Sequence, residues 1–107
     1  MNLPTIIQKY IDASNAHDVS SIVACFASDA IVRDENVTRR GQIDIERWAT
    51  ETIEKYKFQF KPFSADGRGD KTILSMEVSG SFSGSPITLD CHCTIANDKI
   101  ESLIIES

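Results

Sequence analysis

The chain has 107 residues, 41% of them hydrophobic, and a formal net charge of −5. That length suits one domain with an ordinary packed core. The acidic balance argues against a duplex nucleic-acid partner, which calls for a basic patch, and Arg39-Arg40 is the only adjacent pair of cations.

The chain opens with Met1-Asn2-Leu3-Pro4, which is no basic-then-apolar leader, and no apolar run approaches the ~20 residues of a membrane span. Leu3, Ile6, Ile7, Tyr10 and Ile11 recur at the spacing of one helix face, with Pro4 in a tolerated first-turn position. Asn15-Ala16-His17-Asp18 interrupts that pattern. Asp18 or Ser20 can cap a second helix carrying Val19, Ile22, Val23 and Phe26. A strand is expected over residues 30–35. Gly41 marks the turn into a third helix with the stripe Ile45, Trp48, Ala49, Thr52, Ile53 and Tyr56.

After Tyr56 the period changes to two. Phe58 and Phe60 alternate with Lys57, Gln59 and Lys61. Leu74, Met76, Val78 and Phe82 then alternate with Ser75, Glu77, Ser79 and Ser81, and Leu89, Cys91, Cys93 and Ile95 with Asp90, His92 and Thr94. Turn chemistry at residues 64–70, 84–86 and 97–98 separates these runs, and a last strand spans residues 100–105. Consecutive strands with short turns predict an antiparallel sheet with one buried face, and helices followed by strands give an α+β layout.

Tyr10-Ile11-Asp12-Ala13-Ser14-Asn15-Ala16-His17-Asp18, then Ile22 to Asp34 with its Phe26-Ala27-Ser28-Asp29-Ala30 core, then Gly41 and Ile45, resembles the nuclear transport factor 2-like superfamily. Within it the likeness is to the SnoaL-like polyketide cyclase and steroid delta-isomerase branches, and it covers nearly the whole chain, 1–107, as one domain. The resemblance implies a cone: three N-terminal helices packed on a strongly bent antiparallel sheet around an apolar pocket. It also implies dimerisation through the outer face of the sheet. The superfamily hosts isomerases, cyclases, dehydratases and non-enzymes on this fold, so the fold leaves the function open.

Asp34 carries the strongest chemical signal. On a strand, Ala30, Val32 and Asp34 share a face, so a carboxylate extends an apolar stripe, where its charge is costly unless something uses it. Either Asp34 faces a pocket, or it caps the following turn or pairs with Arg39 or Arg40. The steroid isomerases use an aspartate at the matching position as the proton shuttle and a first-helix tyrosine, matched by Tyr10, as donor to the substrate oxygen. Their second donor, a protonated aspartic acid, lines up with Cys91, and a thiol is a weak donor. The expected site is therefore Asp34 as base and Tyr10 as oxyanion donor, with Trp48, Phe26, Phe58, Met76, Cys91 and Cys93 lining the pocket. Its ligand would be a small, apolar carbonyl compound turned over without a cofactor. The competing reading is a non-catalytic binding or dimerisation module of the same fold.

Cys91-His92-Cys93 is not expected to hold a metal. On a strand His92 points away from the two thiols, and a closed zinc site wants four convergent ligands. Three cysteines are an odd, sparse set that fits reduced thiols in the cytoplasm.

Overall fold

The first turn of α1 (Thr5–Asn15) follows Pro4, and the helix buries Ile6, Ile7, Tyr10, Ile11, Ala13 and Ser14 along one face. A computed structural model describes residues 2–107. Asp18 caps α2 (Val19–Ala24), accepting from the Ser21 backbone N–H at 3.2 Å and from the hydroxyls of Ser21 and Ser20 at 2.8 and 3.1 Å. These bonds favour the charged carboxylate and hold it below the usual carboxylate range. Phe26, expected on the stripe of the second helix, instead begins β1 (Phe26–Asp34), because α2 ends at Ala24. It is nonetheless buried.

The chain then makes β2 (Val37–Arg40), α3 (Gln42–Tyr56), β3 (Gln59–Arg68), β4 (Lys71–Ser79), β5 (Ile87–Ala96) and β6 (Lys99–Glu106). The strands form one sheet in the order β2-β1-β6-β5-β4-β3. The architecture is α+β, three helices on a curled open sheet, as the sequence leads one to expect. Two details differ. The sheet is mixed, since β1 runs parallel to β6 while every other neighbour is antiparallel. The expected strand at 30–35 is also one arm of a hairpin, joined to β2 by Glu35 and Asn36, both at positive φ (53° and 63°). Such a turn suits the right-handed twist of paired strands but usually shows itself by glycine. Here Glu35-Asn36 makes it without one.

Period-two patterning sets the inward face. Thr72, Leu74, Met76 and Val78 of β4 are buried, as are Cys91 and Cys93 of β5 and Ile100 and Leu103 of β6. Register shifts between Pro62 and Ser64, between Thr94 and Ile95, and along the β1–β6 pair interrupt the ladders. Such irregularities let a sheet bend. Two side chains fasten the helices to it. The Asn15 side chain docks on β3 like a further strand residue, Nδ2 donating to the Phe60 carbonyl at 3.0 Å and Oδ1 accepting from the Phe60 N–H at 2.7 Å. His17 is half-buried, with Nε2 2.7 Å from the Phe58 carbonyl and its ring edge-on to Phe58. Gly80 lies where the loop after β4 crosses the end of α3. A Cβ there would stand 2.3 Å from the Tyr56 carbonyl oxygen, so the close approach requires glycine.

Candidate functional site

The helices cover only part of the inward face, and at the other end the sheet encloses a cavity of about 550 Å³. Tyr10 and Ser14 reach it from α1, Trp48, Ala49, Thr52 and Tyr56 from α3, and Phe58 and Phe60 from the start of β3. Val78, Ile87, Leu89 and Ile105 form its sheet floor, and Asp34, Glu35, Asn36, Phe82 and Glu106 complete its wall. Exposure orders these residues in depth. Tyr10, Ser14, Ile22, Trp48 and Ala49 are buried, whereas Glu35, Asn36, Ile87 and Glu106 are exposed at the mouth.

Asp34 ends β1 between these two zones and is half-buried. The Trp48 indole Nε1–H donates to its Oδ2 at 3.0 Å. Burial raises the Asp34 pKa above the ordinary carboxylate value, and the neighbouring Glu35 adds to that; the Trp48 bond and the charge of Arg39 oppose it. The alternative of a carboxylate paired directly with an arginine is not what the geometry shows: Arg39 lies 3.9 Å from Glu51 instead.

Tyr10 is 1% exposed, its ring edge-on to Phe26 at 5.8 Å and tilted against Phe60 at 6.2 Å. Burial pushes its phenol well above its ordinary pKa, the potential charges of Cys91, Cys93 and Asp34 add to the shift, and Ser14 one turn on opposes it. The hydroxyl therefore stays protonated and able to donate. At the mouth the Tyr56 hydroxyl donates to Glu35, the Tyr56 ring stands edge-on to Phe82, and the Lys55 Nζ lies 5.0 Å from the Tyr56 ring centroid.

Of the residues expected at the site, Tyr10, Asp34, Trp48 and Phe58 meet around the cavity. Phe26, Met76, Cys91 and Cys93 sit in the buried cluster rather than on its wall. For the two thiols the reason is position along the strand. Cys91 pairs with Leu74 and Ile105, and Cys93 with Thr72 and Leu103, nearer the helix-covered end than Leu89 and Ile87. Both thiols are held protonated by burial, Cys93 pushed up to about 12. Among the described residues no three His, Cys, Asp or Glu side chains converge as metal ligands. No helix among them is long and apolar enough to cross a membrane.

Residues 7–102 match the SnoaL-like domain. The chain belongs to that family. Among solved structures, this SnoaL-like chain is 35% identical to a polyketide cyclase candidate from Sinorhizobium meliloti, with a TM-score of 0.94 over 97% of this chain and 95% of that one. A protein of ketosteroid isomerase-like fold from Catenulispora acidiphila, solved with trimethylamine, superposes with a TM-score of 0.89 at 18% identity, covering 99% and 87% of the two chains. The epoxide hydrolase/cyclase-like enzyme SalBIII, of pyran ring formation in salinomycin, superposes with 0.84 at 17% identity over 94% and 85%. At those lower identities the likeness is one of fold. No curated protein sequence matches the chain.

Sequence reasoning missed several residues of the SnoaL-like cavity. Ser14 follows Tyr10 by one turn on the same helix face, so its place on the wall was open to the helical spacing. Glu35 and Asn36 needed the hairpin to be seen first. Leu89, Ile87 and Ile105 carry no signal that separates a cavity floor from a packed core.

Proposed function

We propose that this SnoaL-like protein is a cofactor-free acid–base enzyme of the isomerase or cyclase kind, acting on a small, mostly apolar carbonyl compound. The observation that carries the reading is Asp34: a half-buried carboxylate oriented by the Trp48 indole, on the wall of a largely apolar and aromatic cavity shared with Tyr10. In the proposed reaction the Tyr10 hydroxyl binds the substrate carbonyl oxygen. Asp34 takes a proton from the adjacent carbon, and the electron pair moves into the carbonyl to give an enolate whose negative oxygen Tyr10 stabilises. Asp34 then returns the proton to a different carbon, which isomerises the substrate. Alternatively the enolate carbon attacks a second carbonyl of the same molecule, closing a ring, and the new alkoxide takes the proton.

The test is turnover of apolar β,γ-unsaturated ketones and linear poly-ketone compounds by the wild type, Asp34→Asn and Tyr10→Phe. Asp34→Asn is expected to lower the rate by about 100–10,000-fold, the usual scale for a general base. Tyr10→Phe should lower it by about 100–1,000-fold, the scale of one oxyanion donor. Both should keep the wild-type circular dichroism spectrum. The binding-module reading has one observation in its favour: Cys91 is a buried thiol with a raised pKa and stands where the second acidic donor would be. It predicts saturable binding of the same ketones with no turnover and little loss of affinity in Asp34→Ala.

We further propose that the protein is a cytoplasmic homodimer through the outer sheet face. Three free buried cysteines suit a reducing compartment. On the outer face Ile73, His92 and Ile104 stand in one row across β4, β5 and β6, and Ile73 is 38% exposed. Light scattering should give twice the 11.9 kDa chain mass. Ile73→Glu should return a monomer, and a monomeric wild type would refute the dimer.

A further inference from the structure

The cavity is charged in one sense only. Nineteen of the described residues line it, six of them aromatic and three of them acids, with no Lys, Arg or His among those nineteen. The acids lie from half-depth outward: Asp34 is half-buried, and Glu35 and Glu106 are exposed at the mouth. Tyr56 and Phe82 flank the same opening.

We infer that the site takes ligands whose apolar body ends in an ammonium group, and that it turns away ligands ending in a carboxylate. This rests on the reading of the cavity as the ligand site and narrows its substrate class: the neutral carbonyl end lies inward, towards Tyr10, and the cationic end at the mouth. Aromatic faces attract a cation, carboxylates add Coulombic attraction, and low-dielectric walls strengthen both. A carboxylate at the mouth meets the like charges of Glu35 and Glu106, and among the described residues no Lys, Arg or His lines the wall to neutralise it.

The nearby cations do not reverse this balance. Arg39 acts on Asp34 but lies 3.9 Å from Glu51 and does not line the cavity. His92 reaches Glu106 from the outer face, Nε2 to Oε2 3.4 Å, so Glu106 is shared. Glu35 accepts from the Tyr56 hydroxyl and forms no ion pair with a Lys, Arg or His among the described residues. Lys55 is the nearest competitor, its ammonium over the outer side of the Tyr56 ring. The protein's own ammonium thus already uses an aromatic ring beside a carboxylate, the pairing that the mouth offers to a ligand.

The test uses three probes of one shape, 4-phenylbutylamine, 4-phenylbutanol and 4-phenylbutyrate, titrated at neutral pH and low salt into the full chain. The readout is the indole N–H resonance of Trp48, the sole tryptophan, which lines the cavity. The amine should bind at least about tenfold more tightly than the acid, with the alcohol between them. Glu35→Gln should weaken the amine several-fold and leave the alcohol unchanged, and Lys55→Ala should tighten the amine. Equal binding of amine and acid, or a preference for the acid, would overturn the inference while an alcohol-induced shift leaves the cavity standing as a ligand site. If no probe moves Trp48, both the inference and the ligand-site reading fall.

Discussion

The inward face of the sheet has two ends built from the same kinds of side chain. At one end Leu74, Cys93, Ile100 and Leu103 are fully buried in a cluster with Ile6, Ile7 and Ile11. At the other, Val78, Ile87, Leu89 and Ile105 form the floor of the cavity. Alternation decides which side of a strand faces inward. Whether inward means packed or open depends on what stands above: Ile6, Ile7 and Ile11 of α1 close one end, while Tyr10 and Ser14 of α1 and the residues of α3 border the other without filling it. Most inward polar side chains fall on one side of this division: Tyr10, Ser14, Asp34 and Thr52 border the open end, whereas Thr72 is buried beside Cys93 at the packed end.

Matched truncations should separate the two ends most sharply. Leu74→Ala is expected to cost about 2–5 kcal/mol of stability, because a fully buried leucine leaves a void that its neighbours cannot refill. Leu89→Ala, half-buried beside existing empty space, should cost under about 1 kcal/mol and enlarge the cavity. Urea unfolding of the two variants checks the contrast, and equal losses would erase the distinction.

A smaller effect is expected at the clamp between the ends. Asn15→Ala removes both bonds to the Phe60 backbone and leaves that N–H and carbonyl without their partner. A loss of about 1–3 kcal/mol is expected in the same assay. Asn15→Asp should fall between, since one carboxylate oxygen can still accept from the Phe60 N–H.

The smallest effect is on pH dependence and belongs to the open end alone. The folded protein holds the Asp34 proton to a higher pH than the unfolded chain does. The folded state therefore binds more protons in the window above the ordinary carboxylate range and up to the raised value, and stability falls as pH rises through it. Asp34→Asn should flatten that slope and be at least as stable as wild type at neutral pH. Activity should run the other way, rising through the same window as the base ionises. Thermal melts and rate profiles over this range test both signs.

The packed end was legible in the sequence, because burial there follows period. The three helices came from 3.6-residue spacing, the later strands from alternation, and the Asp18 cap from side-chain chemistry. The Glu35-Asn36 hairpin was not legible, since two non-glycine residues at positive φ leave no local mark. Nor was the parallel β1–β6 pairing, which joins segments some seventy residues apart. At the site, Asp34 stood out as a carboxylate on an apolar stripe, and Tyr10 and Trp48 as helix-face residues. Cys91, Cys93, Met76 and Phe26 share inward faces with true wall residues, and only position along the strand or helix cover tells them apart.

The place of β6 has a consequence for how the molecule is made. It lies between β1 and β5, in the middle of the sheet, yet of the six strands it is made last. Until residues 99–106 emerge, the β1–β2 hairpin and the β3–β5 meander are two separate pieces with unpaired edges where β6 will lie. Folding should therefore wait for that segment and then join distant parts of the chain in one slow, cooperative step. A chain halted before Lys99 would have neither a continuous sheet nor the Ile105 side of its cavity floor, and would carry open edges that invite pairing with other chains.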